Sequence, residues 1–309
     1  MADRLALIVN PAATRVGPHL RDQALRTLTP LGLCSVTETT RRGDGTRLAE
    51  LAVADGATLV VAMGGDGTVN EVACALAGTS TAIAVLPAGS TNVFARALGW
   101  PHPARLALPA LANALRDPRF RDVTLGRIEF GGTRRVFCVN AGTGLDADAM
   151  HLVEARPWLK TKLRHVGVGG ATVVAAARAA RHANRITVAI DDGAPREIAT
   201  LLVACGAPYA YLGSRELDLV PGAAFDGRIR WVGIRSSAFT QTGRAVVGAL
   251  RGGRHLGRDA LADGWATREI LVTSDRPVAV QADGEPLGWH TLVRISPGPI
   301  LRTLVPPAR

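Results

Sequence analysis

Apolar runs of strand length alternate with amphipathic stretches through the first part of the chain. Leu5–Val9, Leu59–Met63 and Thr81–Leu86 are nearly continuous in apolar character, the pattern of strands covered on both faces. Ser35–Thr39 adds a shorter strand. Between these runs, Pro18–Leu28, Thr46–Ala54 and Val69–Ala77 read as helices. Such alternation predicts βαβ units, a parallel sheet and right-handed crossovers. Ligands of these sheets sit at the carboxyl ends of the strands. Asn10, Thr39, Gly65–Thr68 and Gly89–Asn92 all fall at such ends, so polar turns are expected to converge on one rim.

From about Leu125 the pattern changes to short strand-like runs: Gly126–Phe130, Arg135–Asn140, Arg185–Ile190, Ile198–Cys205, Gly227–Ile234, Arg268–Thr273 and Val278–Ala282. Asp191-Asp192-Gly193 and Asp226-Gly227 punctuate them as turns. One helical stretch, Leu159 to about Ala183, interrupts the series. The predicted fold is a three-layer parallel-sheet α/β domain, residues 1–124, followed by an antiparallel β-sandwich-like domain, residues 125–290. The apolar stretch Thr291–Val305 returns to the first domain, giving it residues 291–309.

The stretch Leu59-Val60-Val61-Ala62-Met63-Gly64-Gly65-Asp66-Gly67-Thr68-Val69-Asn70-Glu71 concentrates the candidate chemistry. Strand, glycine-rich turn and helix together aim backbone N–H groups and the positive end of a helix dipole at an anion. Glycines there are expected to permit φ > 0 and a close approach of backbone to phosphate. Asp66 repels a bare phosphate. It is read as a magnesium ligand, as an organiser of the loop, or as a turn residue capping the next helix.

Composition narrows the partner. The formal charge of +10 points to an anion, whether phosphate-bearing substrate, acidic membrane surface or nucleic acid. No compact basic cluster interleaved with aromatics is present, which sets nucleic acid aside. Cys34, Cys74, Cys138 and Cys205 lack metal-ligand spacing and are expected to be buried thiols of a reducing compartment. No signal-peptide pattern and no uncharged apolar stretch of about 18 residues occurs. The expected location is cytoplasmic, at most peripheral to the inner face of the cell membrane.

Asn10-Pro11, Gly64-Gly65-Asp66-Gly67-Thr68 with Asn70-Glu71, and Pro87-Ala88-Gly89-Ser90-Thr91-Asn92 with Phe94-Ala95-Arg96 form an ordered set. Asn140-Ala141-Gly142-Thr143-Gly144-Leu145-Asp146, Asp226-Gly227, Gly253-Arg254-His255 and Asp283-Gly284-Glu285 continue it. In these motifs the chain resembles the diacylglycerol kinase catalytic family, in its bacterial soluble branch, and more distantly the sphingosine kinases. The resemblance covers essentially the whole length. It implies nucleotide bound in a cleft between the two domains and transfer of the γ-phosphate of ATP to a lipid hydroxyl with Mg²⁺, such as that of diacylglycerol.

By resemblance, Asn10, Pro11, Ala12, Ala13, Thr14, Thr39, Gly65, Asp66, Gly67, Thr68, Val69, Asn70, Glu71, Gly89, Thr91 and Asn92 line the ATP site. The general base lies in Asp283-Gly284-Glu285, with Glu285 the first choice and Asp283 orienting it or assisting with metal. Without the resemblance this tripeptide reads as a surface turn. Asp226 matches a structural magnesium position, and equally suits a hairpin turn. His255 is treated as structural. Val93 stands where the family usually has aspartate, and Arg15 where many members have lysine. The implied partner is a lipid substrate at an anionic membrane surface; a homodimer is left open. The Leu159–Ala183 stretch could lie on that surface through Lys160, Lys162, Arg164, Arg178 and Arg181, although a helix buried against the β domain is the preferred reading. Two other functions stay in view: an NAD kinase, which shares the Gly-Gly-Asp-Gly turn, and a non-catalytic nucleotide- or lipid-binding regulator, motivated by Val93.

Overall fold

The computed structural model describes residues 4–154, 185–212, 215–235 and 261–307. The helical stretch read at 159–183 and the Gly253-Arg254-His255 motif lie outside the described residues. The chain divides into two compact units, one of residues 1–123 with 299–309 and the other of residues 124–298.

The first unit contains β1 (Leu5–Val9), α1 (Pro18–Leu28), β2 (Leu33–Glu38), α2 (Asp44–Ala54), β3 (Leu59–Gly64), α3 (Asp66–Leu76), β4 (Ala82–Pro87), α4 (Val93–Ala97) and α5 (Ala104–Arg116). Its strands are parallel in the order β2-β1-β3-β4, with Leu5 opposite Leu59 and Leu59 opposite Ala82. Every residue of β1, β3 and β4 is buried, which is why their sequences are unbroken apolar runs rather than alternating ones. β2 is the edge strand and is largely exposed. The helices pair as α2 with α3 and α1 with α5.

No element was expected over 104–116, yet α5 buries Ala104, Ala107, Leu108, Leu111, Ala112 and Leu115 at helical spacing. Pro109 inside the helix hides the pattern, because an interior proline ordinarily argues against a helix.

The second unit contains β5 (Phe120–Phe130, which begins in the first unit), β6 (Thr133–Phe137), β7 (Asn140–Thr143), α6 (Leu145–Glu154), β8 (Ile186–Ile190), β9 (Arg196–Ile198), β10 (Thr200–Ala204), β11 (Ala210–Leu212), β12 (Arg215–Leu217), β13 (Ile229–Ile234), β14 (Leu261–Ala266), β15 (Ile270–Ala282) and β16 (Glu285–Leu304). It is antiparallel and strand-rich: β14-β13-β10-β7-β15-β16 run in order, β8 and β9 extend from β15, and β5 pairs with β6. The runs read separately as Arg268–Thr273 and Val278–Ala282 are one strand, β15, whose pairing is interrupted between Thr273 and Val278. The charged Asp275-Arg276-Pro277 segment accounts for the break, being exposed and carrying a proline. The return to the first unit falls at Pro299, inside β16, later than the boundary at 291 read from the sequence. β16 pairs with β15 through Ile295 and then lies parallel to β4, Thr303 opposite Ile83.

Among the described residues no helix is long and apolar enough to cross a membrane. Of the cysteines, Cys138 and Cys205 are buried as expected, whereas Cys34 on the edge strand β2 is exposed and Cys74 is half-buried.

Candidate functional site

In the first unit the turns after β1, β3 and β4 are bound to one another. Asn10 accepts its local Ala12 N–H at 2.9 Å, and its Nδ2 donates to Thr68 Oγ1 at 2.8 Å, tying the first turn to the start of α3. α3 begins at Asp66, not at Val69, because Gly65 is its N-cap and accepts the Val69 N–H at 3.0 Å. The early N–H groups of a helix have no acceptor within it, so Asp66, Gly67 and Thr68 present theirs at the strand's end. Val69 itself is buried in the core and adds backbone only.

The glycines serve by closeness, not by left-handed backbone. Gly64, Gly65 and Gly67 are absent from the positive-φ positions, and Gly65 is extended at φ −90°, ψ −176°. A Cβ on Gly64 would stand 2.7 Å from Thr68 Cβ, and one on Gly89 would stand 2.6 Å from Gly65 Cα. Gly65 and Gly89 therefore pack backbone to backbone. Space above Gly67 is open, with nothing within 4 Å of an added Cβ. The closest approaches are thus at Gly89 and Gly64, while a Cβ on Gly65 would stand 3.4 Å from Gly89 Cα.

Asp66 is the clamp of this arrangement. Its Oδ2 accepts the Thr91 hydroxyl at 3.0 Å and the Asn92 N–H at 2.8 Å, and its Oδ1 accepts the Val93 N–H at 2.6 Å. Burial pushes the carboxyl pKa up, against these hydrogen bonds, which pull it down. Of the three readings of Asp66, loop organiser describes this geometry, although the loop it organises is the one after β4. Asn92 closes that loop, donating to the Gly89 carbonyl and accepting the Gly89 N–H, both at 2.9 Å. It does so at φ 50°, a conformation asparagine tolerates better than most residues.

Thr39 is buried, its N–H on the Val9 carbonyl, and its turn is ordered by Asp44, which the sequence reading passed over. Asp44 Oδ2 accepts the Thr40 N–H and hydroxyl and the Arg41 N–H, and the Thr40 backbone bond leads the causes holding its carboxyl well below the usual range. Glu71, expected in the ATP site, is committed elsewhere: Oε1 and Oε2 accept the Gly43 and Gly45 N–H groups at 2.9 Å, at the start of α2. Its carboxylate is a cap. Asn70 is half-buried with its Oδ1 toward Cys74 Sγ, while Pro11, Ala12 and Thr14 are exposed and Ala13 is half-buried.

In the second unit, Asp283-Gly284 is the two-residue loop between β15 and β16, with Ala282 paired to Glu285. Both loop residues have positive φ, 48° and 78°, as a type I′ hairpin requires. Asp283 accepts the N–H groups of Cys138, Val139 and Asn140 at 2.5, 2.8 and 3.1 Å. These bonds tie the hairpin to the start of β7. Glu285 is half-buried and meets Arg135 Nη2 at 3.0 Å.

Beneath this loop lies a buried polar network that the sequence did not announce. Asp146 Oδ2 accepts the Tyr209 hydroxyl and Gln281 Nε2, each at 2.7 Å, and burial pushes its pKa up. Gln281 Nε2 also reaches Asn140 Oδ1, and its Oε1 accepts the Gly284 N–H at 2.9 Å. Asp146 and Asn140 stood in a motif noted from sequence, but their partners come from β15 and from Tyr209, far along the chain.

Asp226 lies between Phe225 and Gly227, both at positive φ, and takes the Arg228 guanidinium on Oδ2 and the Arg228 N–H on Oδ1. Arg228 lowers its pKa, and the cation balancing it is already supplied by the protein. These residues do not fit a metal. Among the described residues no group of three or more His, Cys, Asp or Glu could hold one. Asp66 is an anionic oxygen donor of the kind magnesium takes, and its carboxylate also accepts from the Thr91 hydroxyl and from backbone at Asn92, Val93 and Phe94.

The fold and site thus define a two-unit architecture: a parallel α/β unit with facing glycine turns, then an antiparallel unit with a carboxylate-bearing hairpin. Residues 4–128 match the family model described as diacylglycerol kinase catalytic domain, and residues 139–304 match the YegS C-terminal NAD kinase beta sandwich-like domain. The chain belongs to this diacylglycerol kinase-like family. A crystal structure from Bacillus anthracis str. Sterne, described as a diacylglycerol kinase, is similar at 19% identity and TM-score 0.67, covering 99% of this chain and 97% of its own. A second from the same organism, described as a candidate diacylglycerol kinase, gives 20% identity and TM-score 0.73 over 99% and 98%. At these identities the likeness concerns the fold. No curated protein matches the chain.

Proposed function

We propose that the chain is an ATP-dependent lipid kinase that transfers the γ-phosphate to the hydroxyl of diacylglycerol or a related lipid. The observation that carries this reading is the contact of the two glycine turns, Gly65 against Gly89, with Asp66 holding Thr91 to Val93 beside the first turn of α3. Such a turn offers N–H groups and open space to a polyphosphate. Phosphoryl transfer asks little covalent chemistry of a protein; it asks for charge neutralisation and a placed acceptor.

In this proposal Asn10, Pro11, Ala12, Ala13, Thr14, Thr39, Gly65, Gly67, Thr68, Gly89, Thr91 and Asn92 form the ATP site. Val69 and Asn70 contribute backbone, and Glu71 shapes the adjoining turn. Magnesium, held by Asp66, would supply neutralisation of phosphate charge. Glu285 takes the proton of the acceptor hydroxyl, and Asp283 fixes the hairpin that carries it. Arg135 Nη2 donates to Glu285 Oε2 at 3.0 Å and places the carboxylate. The lipid is met at an anionic membrane surface by a protein that touches it peripherally, consistent with the charge of +10.

The match of 139–304 to an NAD kinase beta sandwich-like domain favours one second reading, an NAD kinase-like phosphotransferase. Labelled ATP offered with dioleoylglycerol and, separately, with NAD separates the two. Label in the lipid is expected. In that assay Glu285→Gln should lower kcat about 100-fold or more while the Kd for ATP stays within about twofold. Turnover at the wild-type rate would remove Glu285 from the role, and ATP binding without transfer to either acceptor would favour a non-catalytic regulator.

A further inference from the structure

The rim of the first unit carries a basic pair that the assignments above leave unused. Arg15, in the turn after β1, is exposed, and its N–H donates to the Ala88 carbonyl at 3.0 Å, fixing it against the Gly89 turn. Its Nη1 lies 2.7 Å from Nε2 of His102, a half-buried residue far along the chain. A guanidinium has donors and no acceptor, so this contact requires an unprotonated Nε2 lone pair on the ring. The ring's environment agrees. Burial, then the charges of Arg15 and Arg96, lower the His102 pKa, and only the Gly89 backbone bond opposes them. The charged groups facing it are thus Arg15 from the first turn and Arg96 from α4. Positive groups gathered beside the glycine turns repel one another and favour an anion at this edge.

We propose that His102 is a positioning residue: its neutral Nε2 accepts from Arg15 Nη1 and holds that guanidinium beside the Gly89 turn, leaving the fork's other N–H groups for phosphate oxygens of the nucleotide. This rests on the ATP reading above. Arg15 would otherwise be a long exposed side chain with many rotamers, and its loss of freedom on binding would weaken the contact. The imidazole removes much of that cost beforehand. A planar fork held by one donor still presents a second donor edge, which an ammonium group does not.

Calorimetric titration of the full chain with ATP and with adenosine tests the proposal in wild type, Arg15→Gln, His102→Phe, His102→Gln and the Arg15→Gln/His102→Phe double variant. Arg15→Gln should weaken ATP about tenfold and His102→Phe about fivefold, as loss of a charge-assisted contact implies. The double variant should be no weaker than Arg15→Gln alone. His102→Gln, which restores a side-chain acceptor, should return ATP affinity to within about twofold of wild type. Adenosine affinity should be the same throughout, a result that general damage to the fold would not give. ATP affinity unchanged in His102→Phe, additive losses, or an equal loss for adenosine would each overturn the positioning role. Should the phenylalanine prevent folding, His102→Ala enters the same cycle with the same expectations. A wild-type chain that binds adenosine but not ATP, or neither, would overturn the nucleotide reading and this inference together.

Discussion

Two aspartate–glycine steps, one in each unit, do the same job from opposite backbones. Asp66-Gly67 opens a helix, whereas Asp283-Gly284 turns a hairpin with both residues at positive φ. Each aspartate gathers several donors from a segment that is remote in sequence: Thr91 to Phe94 for Asp66, and Cys138 to Asn140 for Asp283. A carboxylate with two oxygens is the side chain best able to collect several N–H groups at once. The lesson is that these aspartates order the backbone, and the groups to which the proposed function gives a part stand next to them: N–H groups of the first turn of α3 in one unit, Glu285 in the other.

The comparison breaks most sharply by removing each clamp. Asp66→Ala and Asp283→Ala leave backbone donors without their acceptor, and each should cost about 3 kcal/mol of its own unit's stability. Denaturant unfolding measures that, and ligand assays should divide the pair. Asp66→Ala is expected to lose ATP binding, while Asp283→Ala keeps it and loses turnover. Equal effects on ATP affinity would end the distinction drawn here.

A smaller effect tests closeness against conformational freedom. Gly89→Ala drives a Cβ to 2.6 Å from Gly65 Cα and should cost about 2 kcal/mol, with weakened ATP binding. Gly67→Ala meets nothing within 4 Å and sits in a helix, so stability should hold or rise by up to about 0.5 kcal/mol. Thermal melts of both variants check the contrast.

The second unit also carries a burial cost, whereas hydrogen bonds hold the first unit's Asp44 carboxyl low. Asp148 on α6 has its pKa raised by burial to about 6, from 3.8. Between about pH 4 and pH 6 the native state keeps a proton that the unfolded chain releases, so stability falls as pH rises through that window and levels off above it. Discounted for partial exposure, the loss is about 1.5 kcal/mol. Asp148→Asn should therefore exceed wild type by that amount at pH 8 and lose the advantage at pH 4, in urea titrations at both values. Asp226→Ala closes the series, since its pairing with Arg228 is exposed. A change within about 0.5 kcal/mol is expected, and addition of magnesium should not alter the wild-type melt through this residue.

Much of the first unit was legible because its chemistry is local. β1, β3 and β4 are buried on both faces, which demands continuous apolar runs, and α1 was bounded by its own proline and spacing. The second unit was read less well, since antiparallel pairing joins distant segments and α6 follows β7 without a break the sequence could show. Glu71 illustrates the same limit within the site. It stands beside the glycine turn in sequence, yet its carboxylate turns toward Gly43 and Gly45.

By itself the sequence determined that a strand-borne glycine turn exists, that four polar turns end on one rim, and that the ordered motifs belong to a kinase family. Only the tertiary structure decided what each carboxylate does. Hydrogen bonds to backbone depend on which turns lie side by side, and no residue type reveals that. Asp66 proved a clamp on the turn after β4, Asp283 a clamp on the start of β7, and Asp226 a partner of Arg228. The glycines followed the same logic: their number was written in the chain, but their reason, contact between Gly65 and Gly89, required the fold.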